Sequence, residues 1–296
     1  MANHSTYRWQ DYQCAYDYYP AQQSTSFALL TIHPVGVGLS RHFWDRFCHD
    51  WQGEQNPCEI YNPDLLGCGD SDRPRVAYYP DDWAAQIQHF ITEVVRKPVI
   101  LLVQGALFPV GIKLIERTRG TPWIHGLVLA GPPGWALITQ QFSSTQSKLL
   151  WNLFFDTPIG NAFFRYARRE QFLRSFSERQ LFATAKDIDS EWLTMLDEGA
   201  GMDNRYAVFS FLAGFWRQNY SAAIAAIQQP TLVLFGRQAS GIDRVSRPDD
   251  AAKRLQNYLQ HLPHCEGKLI PGRNVLPYES TAAFTSVLAD WLAQLL

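Results

Sequence analysis

Asp64-Leu65-Leu66-Gly67-Cys68-Gly69-Asp70-Ser71-Asp72-Arg73-Pro74 is the stretch on which the reading of this chain turns. Two glycines two residues apart permit backbone turns that side chains would block. Asp70 and Asp72 flank such a turn beside Arg73, so they read as structural or solvated carboxylates rather than as a catalytic pair. Working outward, Cys58 to Tyr61 is a short apolar run stopped by Asn62-Pro63, and Phe27 to Ile32 is an earlier one ending at His33-Pro34. Downstream, Trp83 to Val95 has helical spacing and Pro98 breaks it. Val99 to Val103 is an unbroken apolar run, the pattern of a buried central strand.

The alternation continues. Leu107 to Arg119 reads as a helix with Pro109 in its first turn. Leu127 to Ala130, Thr231 to Phe235 and Lys268 to Ile270 read as strands, and Ser280 to Leu296 as a closing amphipathic helix. Between Gly134 and about Tyr220 the strand signals stop and aromatic residues crowd a helical pattern. The expected organisation is therefore α/β, a mainly parallel sheet flanked by helices. Residues 1–133 and 223–296 form its core, and 134–222 an all-helical cap at the carboxyl ends of the strands.

Composition closes off several function classes. Of 296 residues 46% are hydrophobic and 18% charged, with a formal net charge of −2, which gives no basic face for nucleic acid. Met1 to Pro20 lacks the apolar region of a secretory signal, and no run has the roughly 18 apolar residues of a membrane helix. The five cysteines are widely spaced with no C-x-x-C pair, as expected of reduced thiols in a cytoplasmic protein without a metal site.

The 64–74 segment resembles the D-L-x-G-x-G-x-S-D-x-P turn of α/β-hydrolases, and other landmarks of that superfamily follow in order. His33-Pro34-Val35-Gly36 is similar to the oxyanion-loop segment, Gly126 to Pro133 to the sixth strand, and Pro230 to Gly236 to the seventh. Ile270 to Pro277 followed by Glu279 resembles the segment that carries the triad histidine. The glutamine- and tryptophan-rich composition is also similar to cyanobacterial members. Gly36-Val37-Gly38 is better read as oxyanion loop than as a dinucleotide fingerprint, because Arg41 stands at the third glycine position; no cofactor is expected.

The resemblance implies a catalytic triad, and its positions hold the wrong residues. The nucleophile turn reads Val103-Gln104-Gly105-Ala106-Leu107-Phe108-Pro109, which places Ala106 at the nucleophile. No Ser, Cys, Asp or Glu occurs between Val99 and Ile115, so the loss is independent of register. Ala239 falls at the acid, with Asp243 four residues on, and Val275 at the histidine. Acyl transfer by the family route needs a nucleophile beside a base, and neither is present.

Two classes of function stay open. In the first, the fold is a non-hydrolytic binding or assembly scaffold. His33, Pro34, Gln104, Ala106, Leu107 and Val275 would then surround an apolar former active site that holds a hydrophobic small molecule, or that cap side chains fill. The stretch Phe163 to Arg174, with four arginines among aromatics, would dock a protein partner or an anionic membrane surface, or would form an amphipathic helix with a solvated basic face. In the second class, an enzyme uses unconventional residues, with His33, Gln104, Asp243 and Tyr278 as candidates for proton transfer on a small apolar substrate.

Overall fold

A computed structural model of the chain describes residues 2–21, 25–53, 58–241 and 249–295. Among the described residues eight strands form one sheet in the order β1-β2-β4-β3-β5-β6-β7-β8. They are β1 (Asn3–Trp9), β2 (Tyr12–Tyr19), β3 (Ala28–Ile32), β4 (Ile60–Pro63), β5 (Val99–Gln104), β6 (Ile124–Ala130), β7 (Thr231–Gly236) and β8 (Cys265–Ile270). Only β2 runs against its neighbours; from β4 to β8 every pairing is parallel. Every residue of β3, β5 and β7 is buried, which requires helices on both faces and explains the continuous apolar runs.

The covering helices of the core are α1 (Asp45–Gly53), α2 (Pro80–Phe90) and α3 (Phe108–Arg117). Between β6 and β7 the chain is helical throughout: α4 (Trp135–Thr139), α5 (Ser144–Leu150), α6 (Pro158–Ala167), α7 (Glu170–Phe176), α8 (Ser190–Gly199), α9 (Arg205–Leu212) and α10 (Ser221–Ala225). After β7 come α11 (Ala251–His261), α12 (Leu276–Glu279) and α13 (Thr281–Leu292).

Several boundaries differ from the sequence expectation, each for a physical reason. The β1–β2 hairpin is not foreseen at all; its two-residue turn is Gln10-Asp11, with Gln10 in the left-handed region at φ 53° and no glycine to announce it. β4 begins at Ile60 and continues through Asn62-Pro63, because Pro63 ends the antiparallel pairing with β2 opposite Tyr16 and need not donate further. The segment 80–95 is α2 followed by one wider turn over Ile91–Val95, and Arg96 closes it at φ 56°. The closing helix, α13, ends at Leu292, and an unforeseen short helix precedes it: Pro277 lies in the first turn of α12, and Ser280, at φ −131°, separates the two.

The 64–74 turn is built around one carboxylate. Asp64 is fully buried, and its oxygens accept the backbone N–H groups of Arg41 and Asp70, each at 2.8 Å. Gly69, at φ 53°, passes so close that a Cβ there would sit 2.1 Å from that carboxylate. Arg41 completes the cluster, with Nε 2.7 Å from Asp17, Nη1 on Asp64 and Nη2 2.8 Å from Asp70. Asp72 instead accepts the N–H of Gln13 at 2.7 Å. Asp64 and Asp70 through Arg41 and Asp17, and Asp72 through Gln13, therefore tie the N-terminal hairpin to the core.

Candidate functional site

The carboxyl ends of β5, β7 and β8 bring three loops together beneath the cap. At the end of β5 the backbone reverses at Gly105, the residue of this turn in the left-handed region (φ 59°). One turn of tighter helix, Gly105 to Leu107, leads into α3, with Pro109 early in that helix where its missing N–H costs nothing. The left-handed residue of this turn is thus Gly105, one residue before Ala106, because that conformation settles where it costs least. A Cβ built at Gly105 would meet nothing within 4 Å. Neither residue carries an atom able to attack a carbonyl.

The β8 loop contributes Asn274 rather than Val275. Asn274 accepts Gln104 Nε2 on its carbonyl oxygen at 2.7 Å and donates its own backbone N–H to Leu181 at 3.0 Å. Its side-chain amide donates to the carbonyls of Gln180 (2.7 Å) and Ser240 (3.1 Å). One residue therefore joins the β5 turn, the β7 loop and the cap. Val275 turns away into the core packed around Ile270, Leu276, Tyr278 and Phe284, so it does not line a pocket with Ala106 as the sequence suggests.

The β7 loop presents Ala239 and Ser240. Ala239 is buried, and its N–H closes a turn onto Gly236 at 2.9 Å. Ser240 Oγ accepts Arg273 Nε and Nη2 at 2.9 and 2.7 Å, so a hydroxyl and a guanidinium meet here. Asp243 lies outside the described residues. Glu279, half-buried after the β8 loop, is used structurally. It accepts the N–H groups of Ala183 and Arg273 at 2.6 and 2.7 Å, and burial raises its pKa above the usual carboxyl value despite those bonds.

His33 does not reach this junction as a base. It is fully buried; Nδ1 donates to the Pro34 carbonyl (2.8 Å), and Nε2 accepts the Leu65 N–H (3.0 Å). A carbonyl can only accept and an N–H only donate, so the ring is neutral with its proton on Nδ1. Burial pushes its pKa below 6.5, although Asp64, 3.9 Å away, opposes the shift. The sign of the pH effect follows. A depressed folded-state pKa stabilises the fold above about pH 6.5 and loses that contribution as pH falls below it. His42, whose bond to Asp45 raises its pKa, works in the opposite sense, so the comparison needs a variant. Urea midpoints of wild type and His33→Gln at pH 7.5 and 5.5 should show the acid loss shrinking in the variant. An equal loss in both would remove His33 from the account.

The space above the β5 turn is closed. Ala106 and Leu107 face Tyr78, Trp83, Phe211 and Trp216 across a gap too narrow for a water molecule. Ser210 seals it, its hydroxyl accepting the Tyr78 N–H at 2.9 Å and donating to the Tyr206 carbonyl at 2.7 Å. Tyr278 is elsewhere. Its hydroxyl donates to Asp189 at 2.9 Å, and it borders a different, open and polar cleft of about 530 Å³ between α8 and the core. Nothing in the sequence announced that cleft, since His42, Asp45, Asp70, Glu191 and Glu198 come from separate segments. Asp17, His42 and Asp45 lie together at its edge, but Arg41, His4 and the His42–Asp45 pair already occupy their polar atoms.

A model of the alpha/beta hydrolase family matches residues 29–286. Among solved structures, an esterase from Thermogutta terrifontis is 15% identical with a TM-score of 0.71, over 100% of this chain and 99% of that one. A serine hydrolase involved in carbazole degradation is 15% identical at a TM-score of 0.74, over 99% and 100%. A bromoperoxidase from Bacillus anthracis is 14% identical at 0.71, again over 99% and 100%. These likenesses are of fold. No curated protein matches the chain.

Proposed function

The chain belongs to the alpha/beta hydrolase family, and on that premise we propose that it is a non-hydrolytic member that acts as an interaction scaffold. The observation that carries this reading is the junction of the three loops. Where hydrolysis needs a nucleophile, a base and an acid in a hydrogen-bonded line, this chain has Gly105-Ala106, Asn274 and Ala239-Ser240, with the loops tied by hydrogen bonds from the side-chain amides of Gln104 and Asn274. An amide neither takes a proton from a hydroxyl near neutral pH nor carries charge through a transition state.

Two further observations support it. The ring nitrogens of His33 are both engaged, by the Pro34 carbonyl and the Leu65 N–H, which counts against His33 among the candidates of the alternative enzyme. The gap at Ala106, lined by Phe211 and Trp216, is too narrow for a water molecule, which counts against a hydrophobic ligand beneath the cap and turns attention to the outer surface.

The reading makes a direct prediction. Purified protein should hydrolyse p-nitrophenyl acetate and butyrate no faster than buffer does, whereas working enzymes accelerate their reactions by about 10⁶-fold or more. A serine-directed fluorophosphonate should leave its mass unchanged. Saturable ester hydrolysis that Asn274→Ala or Asp243→Asn abolishes would sink the proposal.

A further inference from the structure

The outer face of the cap carries a combination that the scaffold reading leaves open. Of the large hydrophobic side chains exposed among the described residues, the four most exposed all fall between 149 and 166: Leu153 (65%), Ile159 (60%), Leu149 (56%) and Tyr166 (53%). They are not scattered. Leu149 and Leu153 lie four residues apart on α5 and the turn that continues it, while Ile159 and Tyr166 lie two turns apart on α6. The inward faces of the same segments hold Phe155 and Phe164 against Phe209, which fixes which side looks outward.

Charge on this segment opposes that of the rest of the chain. Residues 144–174 carry five cations (Lys148, Arg165, Arg168, Arg169 and Arg174) against two acids, a formal +3 in a protein of formal net charge −2. Both acids are already paired, Asp156 with Arg75 at 2.8 Å and Glu170 with Arg174 at 3.3 Å. Arg165 on α6 and Arg169, two residues past its end, are exposed near Tyr166, and the Arg169 guanidinium lies 5.7 Å from the Tyr166 ring centroid. Leucine and isoleucine at the tip, with arginines one to two turns further on, is the pattern of a segment that lies in a lipid interface. The apolar residues enter the acyl boundary and the guanidinium groups hold phosphates. No described helix is long and apolar enough to cross a membrane, so contact by this route is peripheral.

We propose that the α5–α6 face of the cap docks on an anionic lipid surface, with Leu149, Leu153 and Ile159 inserted and Arg165 and Arg169 against the headgroup phosphates. The inference rests on the scaffold reading only in naming what the scaffold touches. A protein surface would suit isolated leucines equally well, but the excess of unpaired arginine beside them favours a dense layer of phosphate.

Sedimentation of the full chain with vesicles tests it. Binding to phosphatidylcholine vesicles containing ~30% phosphatidylglycerol should exceed binding to pure phosphatidylcholine by about tenfold and weaken as salt is raised. Leu153→Ser/Ile159→Ser and Arg165→Glu/Arg169→Glu should each reduce binding by at least about fivefold while keeping the wild-type melting temperature, since all four side chains are exposed. No binding to anionic vesicles overturns the proposal, as does binding that both double variants retain. Retention of a partner protein by this face without vesicle binding also overturns it, in favour of a protein dock. Ester hydrolysis by vesicle-binding wild type would instead remove the scaffold reading and leave the membrane face standing.

Discussion

Replacing Arg41 with leucine should cost about 3–5 kcal/mol of stability, read as a fall in the urea midpoint at neutral pH with an unchanged denaturant slope. The reason is what stays behind. Arg41 is 4% exposed in its side chain, and its guanidinium faces three carboxylates, of which Asp64 is wholly buried and Asp17 nearly so. Leucine fills part of the volume but leaves two buried negative charges without a cation. Partial burial raises the Asp70 pKa, but the bond to Arg41 and the charges of Arg41, His42 and His4 together hold it below the usual carboxylate range, and it too loses its main partner. The remaining donors to Asp64, the N–H groups of residues 41 and 70, cannot neutralise it. Adding Asp17→Asn to the leucine variant removes one stranded charge and should recover part of the loss. Arg41→Lys keeps the charge but reaches fewer of the three partners, so it should fall between wild type and leucine. A loss below about 1 kcal/mol for Arg41→Leu would place this cluster with ordinary surface ion pairs, and the account of the 64–74 turn would fail.

That cluster also shows what could be read in the chain and what could not. The turn was legible because its glycines sit at fixed offsets between strands whose continuous apolar runs mark a doubly covered sheet, and β3, β5 and β7 are buried at every residue. The β1–β2 hairpin was not, because its turn carries no glycine and its inward polar residue, Asp17, looks like solvent-facing sequence until Arg41 is placed beside it. Which partner neutralises a buried acid depends on chain 24 residues away, and no local pattern carries that. At two loops the residues that make the turn and the loop-joining contacts stand beside the ones read from the sequence. Ala106 and Val275 were the expected positions; the turn itself falls on Gly105, and the loop-joining contacts on Asn274. Glycine before alanine was a usable signal for the first. For the second, the deciding contacts are carbonyls of Gln180 and Leu181 in the cap, more than ninety residues away in sequence, so spacing within the β8 loop could not separate Asn274 from its neighbour.

Trp192→Ala should be the second costly change, about 3–5 kcal/mol, and its effect should spread beyond the cap. Trp192 is fully buried on α8, with Tyr278, Phe182 and Phe43 at ring-centroid distances of 4.7, 5.0 and 6.3 Å, and its Nε1 donates to Ser177 at 2.9 Å. Those neighbours belong to α12, the helical segment between β6 and β7, and the turn Arg41–Trp44 after β3, so one side chain fastens three regions. Behind it the helix sits directly on the core: a Cβ at Gly38 would come 2.0 Å from the Leu196 carbonyl, and one at Gly199 would come 2.2 Å from that of Gly38. An enzyme that admits substrate beneath a cap needs that cap to part from the core at small cost. Here parting would break the Trp192 cluster and the backbone contact together, so cap and core should melt as one transition in wild type. Trp192→Phe keeps most of the apolar contact and should lose far less, about 1 kcal/mol for the bond to Ser177 plus some packing. Calorimetry of the three proteins decides the matter. A cap that melts separately and early in wild type would mean the closed gap above Ala106 opens readily, and the case for a function on the outer surface would have to give way to one inside.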